Sequence, residues 1–380
     1  MGEIKSSDFI TNSLYIDYRY VIIRSYRMKA KKRFKAVFEY KGGFDRLPTT
    51  YYGTPEIDKQ LMNYFSINSN EELLNILGDD FRRVSPEYVG PELKKYEDGS
   101  WEGLWGERYT NWDFGNGTYP EAVYLPFKDV VDVEQLKNYR FPSADWYDYS
   151  NILSDCKNIS DYVVICGGAG TMDFMNGIAR CRGVEQVLLD VGMENPVFME
   201  LMERRHKFFM ERMERTLKAG KGEIDVLHIG EDYGSQNGLL ISPKSFEKLF
   251  APKLKDYIDL SHKYNAKTMM HCCGSCRDII PAFIDLGLDI LEEIQPDSER
   301  MDTKELHDEF YGKIAFCGSI SAQHLLPFGT VEDVIREVNA RKEMFSKGGM
   351  IIAPDHNIQV NTPIENIIAI YKTIGSLKTK

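Results

Sequence analysis

The chain has 380 residues, 43% hydrophobic and 28% charged, with a formal net charge of −11. That acidity argues against a nucleic-acid or anionic-membrane binder, since both need a basic face, and it suits a polyanionic substrate poorly. No apolar run approaches the ~20 residues that span a bilayer, and Met1 to Asp8 lack the cationic-then-apolar order of a secretory signal, so the expectation is a cytoplasmic enzyme whose seven cysteines are thiols or metal ligands rather than a disulfide framework.

Residues 1–28 stand apart as an N-terminal extension, mixed, aromatic and basic (Tyr15, Tyr18, Tyr20, Arg24, Arg27). From 29 to 380 a single domain is expected, because short apolar or β-branched runs alternate with longer segments of helical period, the pattern of parallel βα units. The predicted strands are Arg46–Tyr52, Phe81–Val84, Tyr162–Cys166, Ile224–Ile229, Lys267–His271, Leu288–Ile294, Lys313–Cys317 and Met350–Ala353. Several are continuously apolar, as strands buried on both faces are. Eight such strands with intervening helices predict a (β/α)8 barrel, and no Gly-x-Gly-x-x-Gly fingerprint supports the doubly wound alternative.

Asn195-Pro196, Ser242-Pro243 and Thr362-Pro363 each place a capping side chain before a proline at an expected first helical position. Helical spacing follows in each case: Val197, Leu201, Met202, Phe209, Met213 and Leu217 after the first, Phe246, Leu249, Phe250, Tyr257 and Ile258 after the second, Ile364, Ile367, Ile368 and Tyr371 after the third. Gly220 and Gly287 sit where left-handed helix stops are wanted. The stretch from about 88 to 149, rich in Trp, Tyr, Gly and Asp (Trp101, Trp105, Trp112, Trp146), breaks the rhythm and reads as an insertion, either a lid or an excursion on the barrel flank.

A barrel carries its working residues at the C-terminal ends of its strands. In order these ends hold Glu231-Asp232, His271-Cys272-Cys273-Gly274, Gln295, Gly318-Ser319 and His356. Residues two apart on an extended chain face the same way, so His271 and Cys273 can converge while Cys272 points elsewhere. Imidazole and thiolate are zinc ligands. His356 is the leading third ligand, ahead of Cys276 and Cys317, with Glu231 or Asp232 as a weaker fourth. The plain alternative is a buried histidine bonded to backbone beside inert thiols. Glu231 and Asp232 are also candidates for acid/base work, Gln295 for hydrogen bonding to substrate, and Tyr52, Trp105 and Ser319 for substrate contact. His228 is a candidate support behind the ligands. Cys273-Gly274-Ser275-Cys276 has the gap of a redox pair but opens no thioredoxin-like unit, and Cys156, Cys166 and Cys181 read as core thiols.

The run from Ile241-Ser242-Pro243 to His271-Cys272-Cys273-Gly274 resembles the uroporphyrinogen decarboxylase superfamily, whose methyltransferase branch carries His-x-Cys-Gly at this strand end. Gly348-Gly349-Met350-Ile351-Ile352-Ala353-Pro354-Asp355-His356, with Thr362-Pro363-Ile364-Glu365-Asn366-Ile367 after it, is similar to the same family's last strand and closing helix. Phe44-Asp45-Arg46-Leu47-Pro48, Trp105-Gly106 and the stretch from Pro142 to Tyr149 extend the resemblance to about residues 28–378.

In the methyltransferase branch, zinc held by the His-x-Cys pair and a later cysteine activates a thiol or related acceptor. The matching positions here are His271 and Cys273, while the later cysteine is replaced by His356. That departure favours polarisation of an ether or amine over activation of a thiol. The resemblance therefore implies zinc, a corrinoid (cobalamin) protein as partner and a small O-, N- or S-methyl substrate, with a homodimer left open. Two rivals are a cofactor-independent decarboxylase and a non-catalytic small-molecule-binding barrel. Decarboxylases of the family grip substrate carboxylates through an arginine-rich loop after the first strand, where this chain has Thr49-Thr50-Tyr51-Tyr52-Gly53. A histidine at the last strand end also occurs among them, so His356 alone does not decide. Arg82, Arg83, Arg108, Arg180 and Arg182 are the arginines on which the decarboxylase reading would depend.

Overall fold

The structure, a computed structural model, describes residues 28–115 and 117–378. Apart from Met28, the expected N-terminal extension lies outside the described residues. The barrel strands are β1 (Phe81–Arg83), β2 (Val163–Gly167), β3 (Val226–Gly230), β4 (Lys267–His271), β5 (Ile290–Ile294), β6 (Ala315–Ile320) and β7 (Met350–Pro354). They form one curled parallel sheet in sequential order.

The predicted first strand, Arg46–Tyr52, forms no ladder, and its own chemistry gives the reason. Pro48 has no N–H, while the N–H groups of Thr49 and Tyr51 donate to the carboxylates of Asp80 and Asp79 at 2.9 and 2.8 Å. The segment nevertheless occupies the eighth place. Ile352 N–H of β7 donates to Pro48 O at 2.9 Å, and Asp80 N–H, just before β1, donates to Thr49 O at 3.0 Å. Both open edges of the sheet are thereby joined through one extended stretch, and the architecture is that of a TIM-type α/β barrel.

Alternation along the strands decides what faces inward. Phe81, Val163, Ile165, Val226, Met269, Ile290, Ala315, Cys317, Ile351 and Ala353 pack together in the barrel, with Ala30 and Phe34 of the helix Ala30–Val37 against them. The intervening residues Val164, Leu227, Met270, Leu291, Phe316 and Ile352 belong to the larger cluster shared with the helices. One step beyond the apolar plug, the inward positions become polar: His228 after Val226, His271 after Met269 and Glu292 after Ile290. The site is thus the upper layer of the barrel interior.

The predicted helix faces are seen in Pro196–Gly220, where Val197, Leu201, Met202, Phe209, Met213 and Leu217 are all buried and Asn195 caps Val197 N–H at 2.8 Å. Ser242 caps Ser245 N–H at 3.0 Å. The third predicted cap differs. The last helix begins at Ile364 with Pro363 as its cap residue, and Thr362 Oγ1 is buried without a hydrogen-bond partner among the described residues. Gly287 adopts the expected left-handed stop, but at the other predicted stop Lys221 does so and Gly220 stays helical against Ile224.

Between β1 and β2, Glu87–Tyr88 pairs antiparallel with Tyr147–Asp148 and brings the two ends of the aromatic-rich stretch together. Within it lies an antiparallel hairpin, Arg108–Asp113 with Thr118–Tyr124. No helix of the described residues is long and apolar enough to cross a membrane.

Candidate functional site

A cavity of about 480 Å³ opens at the C-terminal ends of the strands, lined by residues including Tyr52, Arg83, Asn176, Arg180, Asp232 and His356. His271, at the end of β4, and Cys273, two residues on, converge as alternation requires: His271 Nε2 lies 3.4 Å from Cys273 Sγ. Cys272 points away into the core, where its sulfur accepts Tyr233 N–H at 3.5 Å. The tight turn after them depends on Gly274, whose φ is 75° and whose added Cβ would lie 2.7 Å from Ser235 O.

The ligand atoms of Cys273, Glu293 and His356 lie within 4.8 Å of one another, as do those of Asp232, His271 and Cys273. Cys273 Sγ donates to Glu293 Oε2 at 3.1 Å, and His271 Nδ1 lies 3.6 Å from Glu293 Oε1. Cys276 and Cys317, the reserve candidates, are buried and join none of these groups. Sequence reasoning missed Glu292 and Glu293. Strict alternation sends only one of two neighbours inward, but a register irregularity between Glu292 and Ile294 interrupts the pairing with β6, and both carboxylates line the cavity. Two consecutive acids in an otherwise apolar strand were the available signal.

Glu292 is a hub. Tyr52 Oη donates to its Oε1. His271 Nδ1 stands 3.3 Å from its Oε2. His228 Nε2 is 2.6 Å from the same oxygen but out of line for a hydrogen bond. The two imidazoles hold the Glu292 carboxyl well below the usual range against the opposing effect of burial. At His271 burial favours the neutral ring, yet Glu293, Glu292 and Asp232 together push its pKa up to about 9. Burial and the neighbouring Glu292 push Glu293 up to about 8 against the pull of His271. Burial, then Glu293 and Asp232, pushes the Cys273 thiol up as well. Burial lowers the pKa of His356.

The remaining predicted residues separate by role. Asp232 accepts Cys273 N–H and Asn176 Nδ2–H, both at 2.8 Å, and its carboxylate reaches within 3.6 Å of His271 Nε2. Glu231 also lines the cavity, but its carboxylate accepts the N–H groups of Phe174, Met175 and Asn176 at 2.5, 2.8 and 3.2 Å, capping the helix Met175–Arg182. Gln295 is buried behind the cavity. It accepts Gly274 N–H at 2.6 Å and donates to Asp355 O at 3.3 Å, tying together the loops that carry Cys273 and His356. Trp105 and Ser319 do not line the cavity. Trp105 is buried under Arg205, whose Cζ lies 4.5 Å from the ring centroid, and Ser319 is 2% exposed and accepts Arg341 Nε–H at 3.3 Å. From the aromatic stretch, Tyr119 is the residue that reaches the cavity.

A family model described as uroporphyrinogen decarboxylase (URO-D) matches residues 111–377. Among solved structures, a methyltransferase from Methanosarcina mazei shares the fold at 17% identity, covering 92% of this chain and 98% of that one with a TM-score of 0.57. A B12-independent methionine synthase from Shewanella sp. W3-18-1, in complex with selenomethionine, is 10% identical over 80% of this chain and 83% of its own, with a TM-score of 0.43. No curated protein matches the chain.

Proposed function

The chain belongs to the uroporphyrinogen decarboxylase (URO-D) family, and from that premise we propose a zinc-dependent methyltransferase that moves a methyl group between a small O-, N- or S-methyl substrate and a corrinoid on a partner protein. The observation that carries this reading is the clustering of donors about Cys273 at the mouth of the barrel, whose sulfur shares one close group with Glu293 and His356 and another with Asp232 and His271. Two imidazoles, one thiol and one carboxyl make a donor set suited to zinc. The acids Asp232, Glu292 and Glu293 crowd these donors and raise the pKa of His271, a charge imbalance that a divalent cation would relieve. His271, Cys273, Glu293 and His356 would hold the ion, which when bound supplies Lewis acidity to a substrate heteroatom.

The chain's own residues do the rest. Glu292, anchored by Tyr52, fixes the orientation of His271 through Nδ1 and leaves Nε2 toward Cys273. Asp232, with its carboxylate held by Cys273 N–H and Asn176 and its side chain 29% exposed, is placed to orient the substrate or hold a proton at the cavity wall. Gln295 keeps the Cys273 and His356 loops in register. Two anionic and two neutral donors suit polarisation of an ether or amine.

Arg83 and Arg180 are the guanidinium groups that line the cavity, too few for a mouth built to hold several carboxylates. The test is metal content of protein purified without added metal, together with transfer of methyl groups from a donor panel to a corrinoid protein. About one zinc per chain, lost in His271→Ala and Cys273→Ala along with transfer, supports the reading. Protein that stays metal-free after incubation with zinc overturns it.

A further inference from the structure

Arg82 and Arg83 are neighbours on β1 with opposite fates. Arg82 turns outward to Glu71 at 2.8 Å and lies over Tyr162. Arg83 turns to the cavity, is exposed there, and has no carboxylate partner among the described residues. Its Nη1 donates to Gly167 O, and its Nη2 lies 3.4 Å from His228 Nδ1. A guanidinium has five N–H donors, so three of them have no hydrogen-bond partner among the described residues.

The loop after β2, Gly168-Ala169-Gly170-Thr171, is shaped to admit this head group. Gly168 has φ of 149°, and a Cβ there would stand 2.7 Å from Arg83 Nη1. On the other side of the loop, a Cβ on Gly170 would lie 3.7 Å from Arg180 Nη2. Arg180 is bonded to Asp173 at 2.8 Å, but that carboxylate is shared with Arg205, so the three groups carry a net positive charge. Two guanidinium groups therefore flank one stretch of side-chain-poor backbone in the cavity wall, in a cavity that also holds the proposed ligands and is otherwise acidic.

We propose that Arg83 and Arg180, set against the Gly168–Gly170 backbone, bind a carboxylate of the substrate, so that the substrate class is a small methylated compound bearing one carboxylate. The inference rests on the methyltransferase reading of the same cavity and names its substrate. The metal-facing ligands take the methylated heteroatom, and the arginines take the anionic end. The volume of about 480 Å³ suits a ligand of that size, and a planar guanidinium fork matches a carboxylate.

The test is calorimetric titration of the zinc-bound protein with para-methoxybenzoate, its neutral isostere para-methoxybenzamide, benzoate and acetate. The carboxylate is expected to bind roughly tenfold or more tighter than the amide, as charge-assisted hydrogen bonds require. Arg83→Gln is expected to bring that ratio near one with zinc content and thermal melting retained, and Arg180→Gln to lower it by less, providing a second variant should the first fold poorly. Equal binding of amide and carboxylate, a preference that survives in both variants, or no binding of any carboxylate at millimolar concentration would each overturn the proposal. The titration is repeated on zinc-free protein to separate the two readings. A carboxylate preference there supports the arginine site even where the metal assignment fails, while bound zinc without the preference removes the arginine site alone.

Discussion

Two strand ends of this barrel carry consecutive acids, Glu231-Asp232 after β3 and Glu292-Glu293 in β5, and the two pairs are put to different use. After β3, one acid is a fold element: Glu231 accepts three N–H groups at the start of a helix. Its neighbour Asp232 takes one backbone N–H and still faces the cavity. In β5, both acids enter the cavity because the pairing slips between Glu292 and Ile294. Glu292 is held by Tyr52 and two histidines, whereas Glu293 meets the Cys273 thiol and His271. Burial alone does not separate these roles, since Glu231 and Glu293 are 1% and 5% exposed. What separates them is the partner: backbone N–H groups for the acid that builds, ligand-type side chains for the acid of the proposed metal site.

The sharpest way to break that distinction is to remove the ligand side of it. Cys273→Ala is expected to weaken zinc binding by roughly a thousandfold or more, since it removes the one sulfur of the set. Glu293→Gln is expected to weaken it less but clearly, while the melting temperature of the metal-free protein holds or rises as crowding among the acids is relieved. Zinc titration against a competing chelator reads both, and an unchanged affinity in Glu293→Gln would return that acid to the structural class.

Acidity gives the next largest effect. His271 titrates near 9 and Glu293 near 8, with the Cys273 thiol pushed up, so at neutral pH the metal-free site holds protons that zinc must displace. Affinity should therefore rise with pH, by roughly tenfold per unit for each of the three protons that leaves, and fall as the medium is acidified. A flat profile between pH 6 and 8, checked by the same competition assay, would mean that these groups do not bind the ion.

How far the site could be read in advance follows from the same comparison. Alternation on a regular strand made the His271–Cys273 pair legible, and the strand-end rule brought His356 and Asp232 to the same mouth. Glu293 was hidden because it depends on a slip in strand pairing, which no periodicity records. Glu231 was visible as an acid, but its commitment to Phe174, Met175 and Asn176 spans more than fifty residues of sequence. Trp105 was drawn toward the site by its aromatic neighbourhood, and packing under Arg205 took it elsewhere. The barrel itself was readable from continuous apolar runs. The place of its first segment, Arg46–Tyr52, was readable too, but not the loss of its ladder, because Pro48, Asp79 and Asp80 divert hydrogen bonds that a strand would otherwise exchange.

Glu292 tests the intermediate case, an acid that neither caps a helix nor belongs to the four proposed ligands. Glu292→Gln keeps the shape but weakens its hold on His271 Nδ1 and on the Tyr52 hydroxyl. The expected loss in zinc affinity is about 10–100-fold, the usual cost of removing a partner behind a metal-bound histidine. A loss as great as that of Cys273→Ala would instead make Glu292 a ligand.

The smallest effect concerns Glu231 and falls on stability. Burial, with Asp173 adding to it, pushes the carboxyl up against its three backbone bonds, and both oxygens are acceptors, Oε2 for Phe174 and Met175 and Oε1 for Asn176. Glutamine keeps the shape but turns one acceptor into a donor, and Glu231→Gln should cost about 1–2 kcal/mol of folding free energy. Alanine leaves three N–H groups at a buried helix start without their acceptor, and Glu231→Ala should cost about 2–4 kcal/mol. Urea unfolding of the zinc-free protein measures both, and zinc affinity should stay as it is in either variant. Should Glu231→Gln release zinc instead, the partner rule would fail at the residue where it is stated most strongly, because an acid bonded to backbone on every side would be acting at the metal as well.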